Sequence, residues 1–303
     1  MSLVVTGTIG IDTVHAPGGS AENVMGGSST YFAAAASLLT PVRLVAAVGD
    51  DWPAEHRSVL EGFEAIDTAG LEQRSGSSTF RWGGRYHDDM NQRDTLFTEL
   101  GVLEETPPPV PETYTDSQYV FLANTHPGVQ MGLLESFPDR TLAVADTMDL
   151  WINIAKDDLL ALLAKLDGLV INDSEAALLS GNSNVADAAE AIRTMGPNFI
   201  VVKKGEHGAY LQHPDGEAAI PALPLKASQV IDPTGCGDSF AGGMMGHIAS
   251  SDSMDLATIR EALAWGTVAA SHTIEDFGLS GLQSATVESM QSRLDRFRSI
   301  TDF

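Results

Sequence analysis

Several short runs of this chain are apolar at almost every position: "LVVTG" (Leu3 to Gly7), "RLVAAVG" (Arg43 to Gly49), "YVFLA" (Tyr119 to Ala123), "TLAVAD" (Thr141 to Asp146), "GLVIN" (Gly168 to Asn172) and "FIVVKKG" (Phe199 to Gly205). Successive side chains of a strand point to opposite faces, so a run without alternation suits a strand covered on both faces. Between these runs lie segments with helical patterning, "SSTYFAAAASLL", "KDDLLALLAKL", "SEAALLS" and "VADAAEAIRTM". Strand and helix in alternation imply right-handed crossovers and a mostly parallel sheet flanked by helices, an α/β architecture whose ligands sit at the carboxyl ends of the strands. With 303 residues, 43% of them hydrophobic, the chain can bury a large core, and we expect residues 1–303 to form one domain.

Two stretches break the rhythm. "SGSSTFRWGGRYHDDMNQRDTLFTEL" (Ser75 to Leu100) and "TVHAPGGSAENV" (Thr13 to Val24) are polar, turn-rich and alternating, as exposed antiparallel strands are. Lid segments at about 13–24 and 75–100 are expected to join in a small β-sheet near the strand ends; two unrelated surface hairpins would leave the same pattern. "EETPPPVPE" (Glu104 to Glu112) reads as a connector.

The formal net charge is −24, and lysine is confined to Lys156, Lys165, Lys203, Lys204 and Lys226. Such a chain lacks the positive stripe that nucleic acid or an anionic membrane requires. Its only cysteine, Cys236, cannot form an internal disulfide, and no basic-then-apolar leader or membrane-length run is present, so a cytoplasmic location is expected. A lysine retained beside glycines in so acidic a protein suggests an anionic ligand.

"DPTGCGDSFAGG" (Asp232 to Gly243) supplies a glycine-rich turn entering a helix, although the chain has no Walker-type Gly-Lys-Ser/Thr. Unpaired N–H groups and the positive helix end together bind an anion, phosphate above all. Asp238 in the first turn is awkward beside that anion unless it has a proton to accept, which points to a general base; a simple helix cap is the alternative.

This stretch resembles the C-terminal signature of the PfkB, or ribokinase-like, carbohydrate kinases, with Pro233 inserted after the first Asp and Cys236 in place of a small residue. Other matches follow in family order: "GTIGID" (Gly7 to Asp12), "GGSSTYFAAAA" (Gly26 to Ala36), "VAAVGDD" (Val45 to Asp51), "ADTMDLW" (Ala145 to Trp151), "NDSE" (Asn172 to Glu175) and "VVKKGEHG" (Val201 to Gly208). The resemblance spans essentially the whole chain. It implies a ribokinase-like three-layer sandwich with a small β-sheet lid, and ATP-dependent phosphorylation of a hydroxyl on a small sugar. A nucleoside kinase of the same fold, or a catalytically silent ligand-binding homologue, is the alternative.

Carried over residue by residue, the resemblance makes Asp238 the base and gives the γ-phosphoryl to the N–H groups of Gly235, Cys236 and Gly237. Asp12, Gly26, Gly27, Tyr31 and Asn124 fall on the acceptor side, and Asn172, Lys203, Gly205, Gly208 and Thr234 on the nucleotide side. Glu175 would hold Mg²⁺ through water, and Asn172 doubles as a helix cap. A monovalent cation, K⁺, is implied near Asp232 and Thr234, with "EDFGLSG" (Glu275 to Gly281) beside it and adenine. A homodimer through the lid is a further expectation. One departure concerns specificity. The family places an Asn sugar contact where this chain has Tyr31, and a phenol cannot replace a carboxamide's paired donor and acceptor. Phe80, Trp82 and Tyr86 either stack on a nucleobase or pack within the lid. A dinucleotide-dependent oxidoreductase would share the α/β pattern, but "GTIGID" lacks its Gly-x-Gly-x-x-Gly.

The acidic surface predicts that activity or stability rises with KCl, because salt screens repulsion among carboxylates. Titration with KCl and with tetramethylammonium chloride separates screening from specific K⁺ binding. An equal response leaves screening alone, and a flat response to both refutes the two causes together.

Overall fold

The computed structural model describes residues 2–302. In chain order its strands are β1 (Leu3–Thr6), β2 (Gly10–Ala16), β3 (Gly19–Gly26), β4 (Val42–Gly49), β5 (Ile66–Arg74), β6 (Phe80–Tyr86), β7 (Arg93–Glu99), β8 (Tyr119–Leu122), β9 (Leu142–Asp146), β10 (Gly168–Asn172), β11 (Phe199–Lys203), β12 (Ala209–His213) and β13 (Gly216–Ile220). Nine of them form one sheet in the order β13-β12-β11-β10-β9-β8-β1-β4-β5. From β11 to β5 every neighbouring pair is parallel; β12 and β13 add antiparallel pairings at one edge.

The unbroken apolar runs have a direct explanation in this sheet. Leu3, Val5, Val144, Val170 and Val201 pack into one core layer, while Val4, Ala143, Ala145, Leu169, Ile171, Ile200 and Val202 pack into the other. Alternate residues thus serve opposite layers, each covered by helices. Strands β5, β12 and β13 escaped the sequence pattern because they lie at or near the sheet edges, where burial alternates and polar residues are tolerated.

Because β1 pairs with β4 on one side and β8 on the other, the chain departs from β1 in both directions. This is the switch point at which a crevice opens beyond the strand ends. A second sheet, in the order β3-β2-β6-β7, is built from residues of both expected lid stretches. The pairs β2–β3 and β6–β7 are antiparallel, but β2 and β6 run parallel, because the two hairpins meet side by side rather than as one meander.

The helix that follows the glycine-rich loop, Cys236–Ser251, is wedged between helices Ser28–Ser37 and Leu256–Thr273. Its glycines set the separations. A Cβ on Gly242 would lie 2.3 Å from the Phe32 carbonyl oxygen, and one on Gly243 would lie 2.7 Å from that of Trp265. The helix Ser28–Ser37 is buried from Ser28 through Ala36, which explains its run of alanines. Gly242→Ala should therefore cost about 1–3 kcal/mol through overpacking, read as a lower urea midpoint. Gly132→Ala is the control, since a Cβ there meets nothing within 4 Å, and it should leave the midpoint unchanged or raise it.

Candidate active site

The loop ahead of helix Cys236–Ser251 is shaped by its own side chains. Asp232 Oδ1 accepts the Thr234 N–H at 2.8 Å. Gly235 then takes φ +74° as the helix N-cap, and a Cβ there would fall 2.3 Å from the Tyr31 ring. Glycine is required at this position both by the left-handed backbone and by the aromatic beneath it. Cys236 N–H donates to the Pro233 carbonyl at 3.2 Å, which withdraws it from the expected phosphate-binding set. The open amides are those of Gly235, Gly237 and Asp238, which have no backbone acceptor outside the helix among the described residues. The Cys236 thiol faces the Ala270 carbonyl at 3.7 Å, and burial together with the charges of Asp232 and Asp238 raises its pKa, so it is a packing group and not a nucleophile. Asp238 is not a cap either. The cap is Gly235, and no side chain bonds the first turn.

Three neighbouring strand ends converge on Asp238. Asn172 and Lys203 are register partners at the ends of β10 and β11, and Asp146 ends β9. Lys203 Nζ reaches the anion loop: a Cβ on Gly237 would lie 2.7 Å from it. Asp146 is only 3% exposed, and its Oδ1 has no hydrogen-bond partner. Burial, and then the charge of Asp238, push Asp146 well above the carboxylate range, although Lys203 opposes this. Asp238 is pushed up to about 6 by desolvation, a rise limited by the charge of Lys203 and by the neighbouring Asp146 carboxyl. Burial thus raises both groups above the ordinary carboxylate range, while Lys203 opposes the rise. The sequence reading quoted Asp146 within a motif but gave it no role. Its place at the end of a parallel strand was the signal available.

Glu175 and Asn172 form a capping box: Asn172 Oδ1 accepts the Glu175 N–H at 2.8 Å, and Glu175 Oε2 accepts the Asn172 N–H at 3.0 Å. Asn172 thus positions the helix start, and Glu175 keeps one oxygen free beside Lys203, its pKa raised by burial. No group of three or more His, Cys, Asp or Glu side chains among the described residues could cage a metal.

Among the residues expected to hold the acceptor, Asp12 is 4% exposed, and a Cβ on Gly26 would lie 1.9 Å from its Oδ2. Gly26 is thus glycine to admit this carboxylate. Gly27, at φ +98°, would drive a Cβ to 2.4 Å from the Thr8 carbonyl oxygen. Asp12 Oδ1 is unpartnered, and burial followed by the charges of Asp232 and Asp238 raises the group to about 8. Asn124 has both carboxamide atoms engaged, donating to Met148 Sδ at 3.2 Å and accepting from Trp151 Nε1 at 3.0 Å. Tyr31 lies fully buried against Gly235 with its hydroxyl unpartnered, so its ring forms the bed of the anion loop.

The small sheet docks onto this floor. Thr234 Oγ1 donates to the Tyr86 hydroxyl at 3.3 Å, and Asn91 Nδ2 donates to Glu206 Oε1 at 3.4 Å. Gly205, at φ +54°, lies beneath Asn91; Gly208, at φ +86°, is required by the close approach of the Ile220 carbonyl rather than by the cleft.

Residues 141–285 match the pfkB family of carbohydrate kinases. A cytidine kinase from Thermococcus kodakarensis is 31% identical over 251 residues, covering 81% of this chain and 87% of that protein. The chain belongs to the PfkB family. Its members are kinases, phosphotransferases with an alcohol acceptor. The ribokinase-like fold is shared with two solved structures. A Burkholderia thailandensis nucleoside kinase in complex with inosine has a TM-score of 0.76 at 19% identity, covering 98% of this chain and 99% of that one. An aminoimidazole riboside kinase from Salmonella enterica, with aminoimidazole riboside and an ATP analogue, has a TM-score of 0.77 at 19% identity, covering 97% and 100%.

For a PfkB kinase, Asp238→Asn should lower kcat by roughly 10²–10⁴, the worth of a positioned base. Because the native pKa of Asp238 lies above the ordinary carboxylate value, ionisation opposes folding as pH rises through about 6, so the variant should be at least as stable at about pH 8. Wild-type kcat/KM should fall as pH drops through about 6, and Lys203→Met should move that limb upward. Melting curves and pH–rate profiles check both; near-normal turnover of Asp238→Asn would remove Asp238 from the chemistry.

Proposed function

We propose that this protein is an ATP-dependent kinase that phosphorylates a hydroxyl of a ribonucleoside. The observation that carries phosphoryl transfer is Asp238, a carboxylate raised to about 6 in the first turn of a helix whose open amides and neighbouring Lys203 face the same spot. Asp238 takes the proton of the acceptor hydroxyl as its oxygen bonds to the γ-phosphorus and the bond to the ADP oxygen breaks. The amides of Gly235 and Gly237, with Lys203, hold the oxygens of the transferring group. Asp146 lies beside the base, its carboxyl pushed well above the carboxylate range by burial and by the charge of Asp238.

A nucleoside rather than a plain sugar is favoured by register. Asp12 pairs with Trp82 and Gly10 with Phe80 across parallel strands, so the carboxylate and both aromatics share one face of the small sheet. Ribose hydroxyls on the unpartnered Asp12 oxygen would set an attached base against these rings. The relative named a cytidine kinase and the neighbour that holds inosine agree with this reading.

Mg²⁺ fits the free oxygen of Glu175, reached through water and the nucleotide phosphates; it would supply charge neutralisation. K⁺ fits Asp232, whose Oδ2 is buried without a partner below the loop. The edge strand β7 is exposed along its length, with Leu96 and Phe97 outward, which supports pairing of two copies through this sheet.

An ADP-release assay over cytidine, other ribonucleosides, ribose and fructose tests the reading. Ribonucleosides should exceed the free sugars in kcat/KM. Trp82→Ala should raise the nucleoside KM by the equivalent of about 1–3 kcal/mol, the worth of base–aromatic stacking. Preference for a free sugar, with KM unmoved by that variant, would make the protein a sugar kinase whose lid aromatics only pack.

A further inference from the structure

Tyr31 stands in the first turn of helix Ser28–Ser37, just after Gly26, which admits the Asp12 carboxylate, and Gly27, the helix N-cap. This helix start is fixed to the chain that leaves β1. Ser29 donates to the Thr8 carbonyl twice, from its N–H at 3.1 Å and its Oγ at 2.8 Å, and the Ser28 N–H donates to Thr8 Oγ1 at 3.0 Å. Thr30 Oγ1 donates to the Gly26 carbonyl at 2.9 Å. From this platform the Tyr31 ring reaches the anion loop. The three atoms nearest to a Cβ built on Gly235 all belong to that ring, Cδ1 and Cγ at 2.3 Å and Cδ2 at 2.4 Å. Near-equal distances to three atoms of one ring place that position over the ring face. Farther along, the two helices meet through small groups, with Gly242 against the Phe32 carbonyl and Gly246 against Ala36. Tyr31 is thus a bulky, fully buried side chain at the loop end of an otherwise close helix contact. Its hydroxyl has no hydrogen-bond partner among the described residues, so what the loop receives from Tyr31 is the ring.

We propose that Tyr31 is a positioning residue for phosphoryl transfer, its ring propping Gly235 so that the open amides of Gly235 and Gly237 are held in place relative to the residues that hold the acceptor. The inference rests on the kinase reading above and adds a part to it. Donors aimed at developing charge are effective when they are fixed beforehand and need no rearrangement during the reaction. Gly235 at φ +74° has no side chain to fix it, so its place is set by what lies beneath it. A flat ring with few rotatable bonds is a firm support. Gly26, Gly27 and Tyr31 belong to one short stretch, so the acceptor residues and the amides are referred to the same helix turn. Without the ring the loop would keep its glycines and its helix end but could sink toward helix Ser28–Ser37, and a misplacement of about 1 Å is enough to cost roughly 10²-fold in rate.

Wild type, Tyr31→Leu and Tyr31→Phe are compared by turnover of the best acceptor from the ADP-release assay and by calorimetric titration with ADP and Mg²⁺. Tyr31→Leu removes the flat face and should lower kcat by roughly 10²-fold, with the acceptor KM and the ADP affinity within about threefold of wild type, because the propped amides serve the transferring group. Tyr31→Phe keeps the ring and should rescue kcat to within about threefold of wild type. If Tyr31→Leu does not fold, Tyr31→Met, unbranched and equally without a flat face, takes its place in the same comparison. A loss in Tyr31→Phe equal to that in Tyr31→Leu would assign the effect to the hydroxyl and overturn the proposal. A fall in ADP affinity that matches the fall in kcat, or a kcat for Tyr31→Leu within about threefold of wild type, would overturn it as well and leave Tyr31 as a packing residue. Failure of the wild type itself to bind ADP or to turn over any acceptor would instead overturn the kinase reading on which the proposal stands.

Discussion

The positive end of one helix, set against a cluster of carboxylates, is the constraint around which this molecule is arranged. Asp238 and Asp146 meet at that end, with Asp12 and Asp232 close enough for their charges to be felt, while Lys203 is the cation that opposes them from the sheet. Left to themselves, so many acids would repel. The helix end and the lysine make the cluster tolerable. The helix therefore has to be held at a fixed place, which the glycine contacts at Gly242 and Gly243 achieve by bringing three helices into near backbone contact.

The second sheet supplies what the first cannot. A parallel sheet presents only strand ends to its ligand, so contact with the far side of a small molecule requires another element. Here β2 and β6 bring Asp12, Phe80 and Trp82 onto one face, and β6 carries Tyr86 to the anion loop. Tyr31 illustrates how a family position changes its work. Where relatives of this family are expected to place a carboxamide for the acceptor, this chain buries an aromatic ring beneath Gly235.

Much of this was legible from residue order alone. Unbroken apolar runs require two covered faces, which implies the layered parallel sheet, and the glycine-rich loop before a helix implies an anion site with Asp238 in its first turn. These features are local: each follows from a few consecutive residues and the geometry of one strand or one turn. Other features depend on residues distant in sequence. The nearness of Asp146 to Asp238, the withdrawal of the Cys236 amide by Pro233 and the parallel register of Asp12 with Trp82 arise only when separate segments are packed together. Sequence by itself determined the architecture and the place of the glycine-rich loop at a helix start, because periodicity and turn stereochemistry are properties of short segments. Tertiary structure decided which carboxylates are raised by burial, which amides stay open and which side chains share a face of the small sheet, because charge, burial and register depend on what the fold brings within a few ångströms.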